Sequence, residues 1–180
     1  MTVPSAVISW QGAVKSTLNL LNYQNLDHRL VLAIIWKEST GNPWAYRPEN
    51  AYRWLWDIKK DAPIRELTPA EIVNAAPPGD FAFYAGSAAQ EWACQRSSWG
   101  LMQIMGATAR EQGFRGNYLT ELCDPWVNIE YGLKHLWNYA FQKGNRSTVD
   151  ALQRYNGGGN KDYAGDVIGK RTVIEVNAPQ

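Results

Sequence analysis

The chain has 180 residues, of which 45% are hydrophobic and 19% charged, and its formal net charge is +1. These values exclude a disordered chain, give no electrostatic case for nucleic acid or an anionic membrane, and suit one domain with a proper core. Nine Trp and nine Tyr exceed what a core of this size requires, and rings with polar handles suit half-wet binding clefts.

In chain order, Val7, Ile8, Val14, Leu18 and Leu21 give a helical pattern from Ser5 to about Leu21. Asp27 caps the next helix, which runs to Glu38 or Ser39 and stops at Gly41-Asn42-Pro43. From Tyr46 to Gln95 the chain turns rich in Pro and aromatics; Thr68-Pro69-Ala70-Glu71 reads as a capped helix start and Pro77-Pro78-Gly79-Asp80 as a turn. This stretch is read as an elaboration of a single domain spanning 1–180. Leu101, Met102, Ile104, Met105 and Ala109 predict a helix opening near Trp99-Gly100 and closing at Gly113. Asp124-Pro125 starts a long helix with Ile129, Leu133, Leu136, Trp137 and Ala140 on its apolar stripe. Ser147 to Asp150 starts another, ending at Tyr155-Asn156-Gly157-Gly158-Gly159. A short helix from Tyr163 to Lys170 follows, and Thr172 to Val176 has strand propensity. No hairpin stands out, so the class is mainly α.

Cys94 and Cys123 lack metal-ligand spacing, and His28 and His135 are the only imidazoles. No metal or cofactor is therefore expected, and a disulfide is left open. No apolar run reaches the ~18 residues of a membrane span. Met1-Thr2-Val3-Pro4-Ser5 has no secretory-signal pattern, so a protein acting in the periplasm or cell wall would be released through a holin, carried by a virion or exported by a dedicated machine.

Glu38 is the informative residue. It lies one helical turn beyond Ile34 and two beyond Leu30, on the stripe that should face the core. Burial disfavours an ionised carboxyl and raises its pKa, by ~2 units in general-acid glutamates of glycoside cleavage.

Four segments in order resemble the soluble lytic transglycosylase family: Glu38-Ser39-Thr40-Gly41-Asn42-Pro43-Trp44-Ala45, Gly100-Leu101-Met102-Gln103-Ile104-Met105, Asp124-Pro125-Trp126-Val127-Asn128-Ile129 with Gly132, and Tyr155-Asn156-Gly157-Gly158 with Tyr163. The resemblance implies a lysozyme-like helical fold and cleavage of bacterial peptidoglycan strands; for a neutral single domain acting on an insoluble polymer, a monomer is expected. It implies that Glu38, beside Ser39, is the single catalytic carboxyl, acting first as general acid and then as general base. Gln103 would hydrogen-bond sugar and Met105 would give apolar contact, both from one side of the same helix. Tyr155 would hold Glu38, and Asn156 would serve the groove or its turn. Where many members carry a Ser and a Gly-Ala before Gly-Leu-Met-Gln, this chain has Cys94 and Ser97-Ser98, so Ser97 or Ser98 would take the donor role. The 46–95 stretch is longer than the usual link and is similar to insertions in phage-associated relatives with the Ser-Ser-Trp-Gly-Leu-Met-Gln form.

Ordinary glycosidases use two carboxyl groups, and only Glu38 belongs to a motif. The expected reaction is therefore non-hydrolytic cleavage of the β-1,4 bond between N-acetylmuramic acid and N-acetylglucosamine, leaving 1,6-anhydro ends. A hydrolase of goose-lysozyme type would need a water-activating carboxylate, for which Asp57, Asp61, Asp80 and Glu91 are positional candidates. A catalytically silent glycan-binding or structural virion module is the alternative from another class. Tyr46, Trp54, Trp56, Phe81, Tyr84 and Trp92 could either wall an extended sugar cleft or pack on the core.

Overall fold

A computed structural model describes residues 2–139 and 147–177. The first helical pattern is split into α1 (Ser5–Ile8) and α2 (Gln11–Leu20) by a tight turn at Ser9-Trp10. There the Trp10 indole N–H donates to the Gly41 carbonyl (2.9 Å), which ties this region to the end of the following helix. Asp27 caps α3 (His28–Ser39) by accepting from the Arg29 N–H, as expected. All seven residues from Leu30 to Trp36 are buried, so α3 is the central element of the main core. It ends at Thr40, whose left-handed backbone (φ 54) reverses the chain.

The elaboration contains β1 (Tyr46–Pro48), β2 (Trp56–Asp57), β3 (Ala62–Pro63), α4 (Pro69–Val73) and α5 (Ala88–Gln95). The Thr68-to-Glu71 signal is a full capping box, and the Phe81 N–H closes the Pro78 turn. Two small antiparallel sheets form here, which the sequence did not announce. One orders β1, β4 (Ser97–Trp99) and β5 (Ile104–Met105); the other pairs β2 with β3. Leu55, Leu67, Phe81, Trp92 and Ala107 make a satellite core that seats the elaboration on α5 and on α6 (Gly106–Glu111).

The helix expected from Trp99-Gly100 begins only at Gly106. Residues 97–105 instead form the β4–β5 hairpin, with Ser98 opposite Met105 and Trp99 opposite Ile104. Gly100 (φ 66) lies against the Asn128 amide, where an added Cβ would sit 2.4 Å from Nδ2, and Gln103 also takes a positive φ of 47. A helix cannot pass through either backbone conformation.

A 3-10 helix (Leu119–Cys123) leads through the Asp124 cap into α7 (Pro125–Trp137). Ala140, placed on its stripe by periodicity, lies outside the described residues. Ser147 caps α8 (Thr148–Tyr155), and α9 spans Tyr163–Asn177. The strand propensity of Thr172 to Val176 is overridden: these residues continue α9, with Ile174 fully buried in the main core. Helix α9 lies antiparallel to α3, held by Lys37–Asp166 (2.5 Å), Arg29–Glu175 (3.4 Å) and Arg171–Asp27 (2.6 Å). The described residues are thus mainly helical, with two small sheets.

Candidate active site

The antiparallel register of α3 and α9 brings the C-terminal end of one to the N-terminal end of the other. Glu38, in the last turn of α3, meets Tyr163, the first residue of α9, whose phenol donates to Oε1 at 2.5 Å. Glu38 is half-buried and faces a cleft of about 970 Å³. Burial pushes its pKa above the usual carboxylate range, while the Tyr163 hydrogen bond and the Arg47 and Lys37 cations pull it partly back. The Tyr163 phenol is itself pushed far up by burial and by the adjacent carboxylate, so it stays a donor.

Tyr163 therefore occupies the place expected of Tyr155. The Tyr155 hydroxyl donates instead to the Met102 carbonyl (2.6 Å), fixing the 100–103 loop against α8. It still lines the cleft, with Asn156, whose buried amide nitrogen has no partner among the described residues. After them Gly157 and Gly158 both take positive φ, a left-handed exit that glycine adopts without a Cβ clash.

Gln103 and Met105 both line the cleft, from a turn and a strand end rather than from one helix. The Gln103 amide is engaged by the fold: Nε2 donates to the carbonyls of Ala45 (3.1 Å) and Gly100 (3.0 Å), and Oε1 accepts from the Ser98 hydroxyl (2.9 Å). Of the two serines, Ser98 lines the cleft. Ser97 is buried outside the cleft lining, where its hydroxyl bonds the Ala93 carbonyl and the Tyr46 hydroxyl. Ser39 is likewise a structural residue, with its hydroxyl 2.8 Å from the Leu101 carbonyl and accepting from the Gly41 N–H.

Asn128 is fully buried behind the loop. It accepts from the Met102 N–H (2.8 Å) and donates to the carbonyls of Trp99 (2.8 Å) and Leu122 (2.9 Å). One α7 side chain thus ties together three backbone groups, at Trp99, Met102 and Leu122, behind the turn that carries Gln103.

Residues 81–165 match the family model described as Transglycosylase SLT domain. That segment, just under half of the chain, is similar to the soluble lytic transglycosylase family. No curated protein and no solved structure matches it. The matched family acts on peptidoglycan, and the mainly helical architecture of the described residues fits a lysozyme-like domain. The match takes in the 97–105 hairpin, Asn128, Tyr155 and Tyr163, and leaves Glu38 and the wall at 51–67 outside it. No described helix is long and apolar enough to cross a membrane.

The four carboxylates offered as water activators are all committed elsewhere. Asp57 is buried and accepts from the Lys59 and Lys60 N–H groups, Asp61 pairs with Arg115, Asp80 with Arg65, and Glu91 with Arg110. The cleft instead carries Glu49, Glu66 and Glu111, which motif reading passed over because they belong to no motif. Glu49 is paired with Arg47 at 2.5 Å. Cys94 and Cys123 are free thiols, and burial pushes Cys94 up to about 11.

Proposed function

We propose that the chain works as one domain, 1–180, in monomeric form, and that Glu38 is its only acid/base group. The protonated carboxyl gives its proton to the glycosidic oxygen between N-acetylmuramic acid and N-acetylglucosamine as the C1–O bond breaks. The acetamido oxygen of the muramic residue covers C1. The Glu38 carboxylate then takes the proton of the C6 hydroxyl as that oxygen bonds to C1 and displaces the acetamido oxygen, leaving a 1,6-anhydro end and restoring the acid.

The observation that carries this reading is the Glu38–Tyr163 pair at the cleft. A group that must donate and then accept needs a pKa near working pH. Burial raises the Glu38 value while the phenol keeps the ionised form accessible. Gln103, Ser98, Met105 and Asn156 would receive the sugars in the groove.

Mass spectrometry of fragments released from purified peptidoglycan tests the proposal. Anhydro-muramic ends, one water lighter than reducing ends, are the expected product. Reducing ends would mean hydrolysis and shift attention to Glu49, Glu66 and Glu111. No fragments at all from folded protein would mean a silent binding module.

A further inference from the structure

The cleft does not end at Glu38. Its lining also takes in Tyr52, Trp54, Trp56 and Ile64 of the elaboration, and its volume exceeds what a contact to one bond requires. Leu55 is buried in the satellite core with Phe81 and Trp92, while Trp54 and Trp56 remain accessible in the cleft wall. Of the candidate aromatics, Phe81 and Trp92 are thus packing residues, and Trp54 is 69% exposed.

An exposed tryptophan in a cleft wall has a solvation cost that a ligand can remove. The Arg53 guanidinium lies 5.0 Å from the centre of the Trp54 ring, which fixes the indole and leaves it one face to offer. Trp56 is held on both sides. Its indole N–H donates to Asp61 (3.2 Å), and its backbone N–H and C=O pair with the Gln95 amide (2.9 and 3.0 Å), as a neighbouring strand would. Gln95 in turn donates to Glu91, which is locked to fully buried Arg110. The wall is therefore preorganised by a buried polar network, as a binding surface needs to be and a solvated loop does not.

We propose that Trp54, supported by Trp56, is a sugar-stacking platform forming a distal glycan subsite in the elaboration, outside the segment that matches the family. The ligand class is a β-1,4-linked aminosugar strand. One pyranose lays its C–H face on the indole, and Arg53 and Glu66 lie at the same cleft for its hydroxyl and acetamido groups. This rests on the proposed glycan-cleaving function and extends it: the elaboration grips the strand beyond the sugars that flank the bond it cuts.

The test is calorimetric titration of the full-length Glu38→Gln protein, which leaves oligomers intact, with chitotriose and chitohexaose, both free of peptide. The hexamer is expected to bind more tightly than the trimer. Adding Trp54→Ala shrinks that gain roughly tenfold, the scale of one aromatic stacking contact, and Trp54→Phe restores most of it. Trp54 is exposed, so the fold survives its removal. An unchanged gain from trimer to hexamer, or an equal loss for both, overturns the proposal. So does a loss confined to peptide-bearing muropeptides, which would assign the ring to the peptide stem. The cleavage chemistry is decided separately by the fragment ends released by wild-type protein, so a hydrolytic product would leave the length dependence standing.

Discussion

Tyr163 donates to Glu38 over 2.5 Å, across 125 residues of chain, and so closes the α3–α9 pair at the cleft. The bond favours the ionised carboxyl, while burial favours the neutral one. Tyr163→Phe keeps the ring and removes the donor, so the Glu38 pKa climbs further. The basic limb of the rate profile, where the acid loses its proton, should move to higher pH. The rate at the optimum should fall roughly tenfold or more, because a hydrogen bond to a charged group is lost from the step that leaves Glu38 ionised. Turbidity clearance measured across pH checks both. A loss of rate with no displacement of the limb would reduce Tyr163 to packing.

Glu38→Gln should behave oppositely in activity and in stability. Activity falls by ~10² to 10⁴, the usual share of general acid/base catalysis. The stability sign follows from linkage. The Glu38 pKa is raised in the folded state, so its contribution is fully present below the unfolded carboxyl value of ~4.3 and is lost as pH rises through the raised folded value. Glutamine can still accept from Tyr163 but cannot ionise. The variant should therefore melt above wild type at pH 8 and match it more closely at pH 4. Thermal unfolding at the two pH values decides it, and a variant less stable at pH 8 than at pH 4 relative to wild type contradicts the burial account.

Asn128 touches no cleft surface, yet its removal should silence the enzyme. Asn128→Ala leaves the Met102 N–H and the Trp99 and Leu122 carbonyls without a buried partner. The cost is about 3 kcal/mol, since each orphaned group carries its own desolvation penalty. The Gly100 turn that packs on the amide loosens with it, and Gln103 and Met105 lose their places in the cleft. Denaturant titration gives the first quantity, and peptidoglycan clearance at a temperature where the variant is still folded gives the second. Full clearance by the folded variant would mean the loop holds itself.

What could be read from the sequence divides along a physical line. Helices with a capped start and a 3.6-residue stripe were legible: Asp27, Thr68, Asp124 and Ser147 all cap where expected. Glu38 was legible because a carboxyl on an apolar stripe is costly. The hairpin at 97–105 was not, since Leu101, Met102 and Ile104 are buried at near-helical spacing by a turn held through distant partners, Asn128 on the Met102 N–H and Tyr155 on the Met102 carbonyl. The exchange between Tyr155 and Tyr163 was equally hidden. Both are tyrosines at helix ends near one carboxylate, and which reaches it depends on the α3–α9 register set by Lys37–Asp166 and Arg171–Asp27. The strand propensity of 172–176 failed for the same reason: burial of Ile174 against the α3 core outweighs a local preference worth a fraction of a kcal/mol.

The Glu91–Arg110 pair allows a sharper experiment, because its two single variants and its double variant should not add. Arg110 is fully buried and Glu91 is 3% exposed. Two parallel N–H to O bonds of 2.9 Å join them, and Arg110 also donates to the Phe114 and Gly116 carbonyls. Arg110→Met leaves a buried carboxylate without its cation and should cost about 3–5 kcal/mol, and Glu91→Leu strands the guanidinium with a similar loss. The double variant removes both charges, so it should be far more stable than the sum of the singles requires, by at least ~2 kcal/mol, with the two stranded carbonyls limiting full recovery. Activity should not recover in step. Gln95 has lost its acceptor on Glu91, and with it the hold on the Trp56 backbone and the cleft wall. Denaturant unfolding of the three variants measures the coupling. Additive losses would mean that the pair contributes packing alone, and a double variant with wild-type clearance of peptidoglycan would mean that the wall needs no clamp.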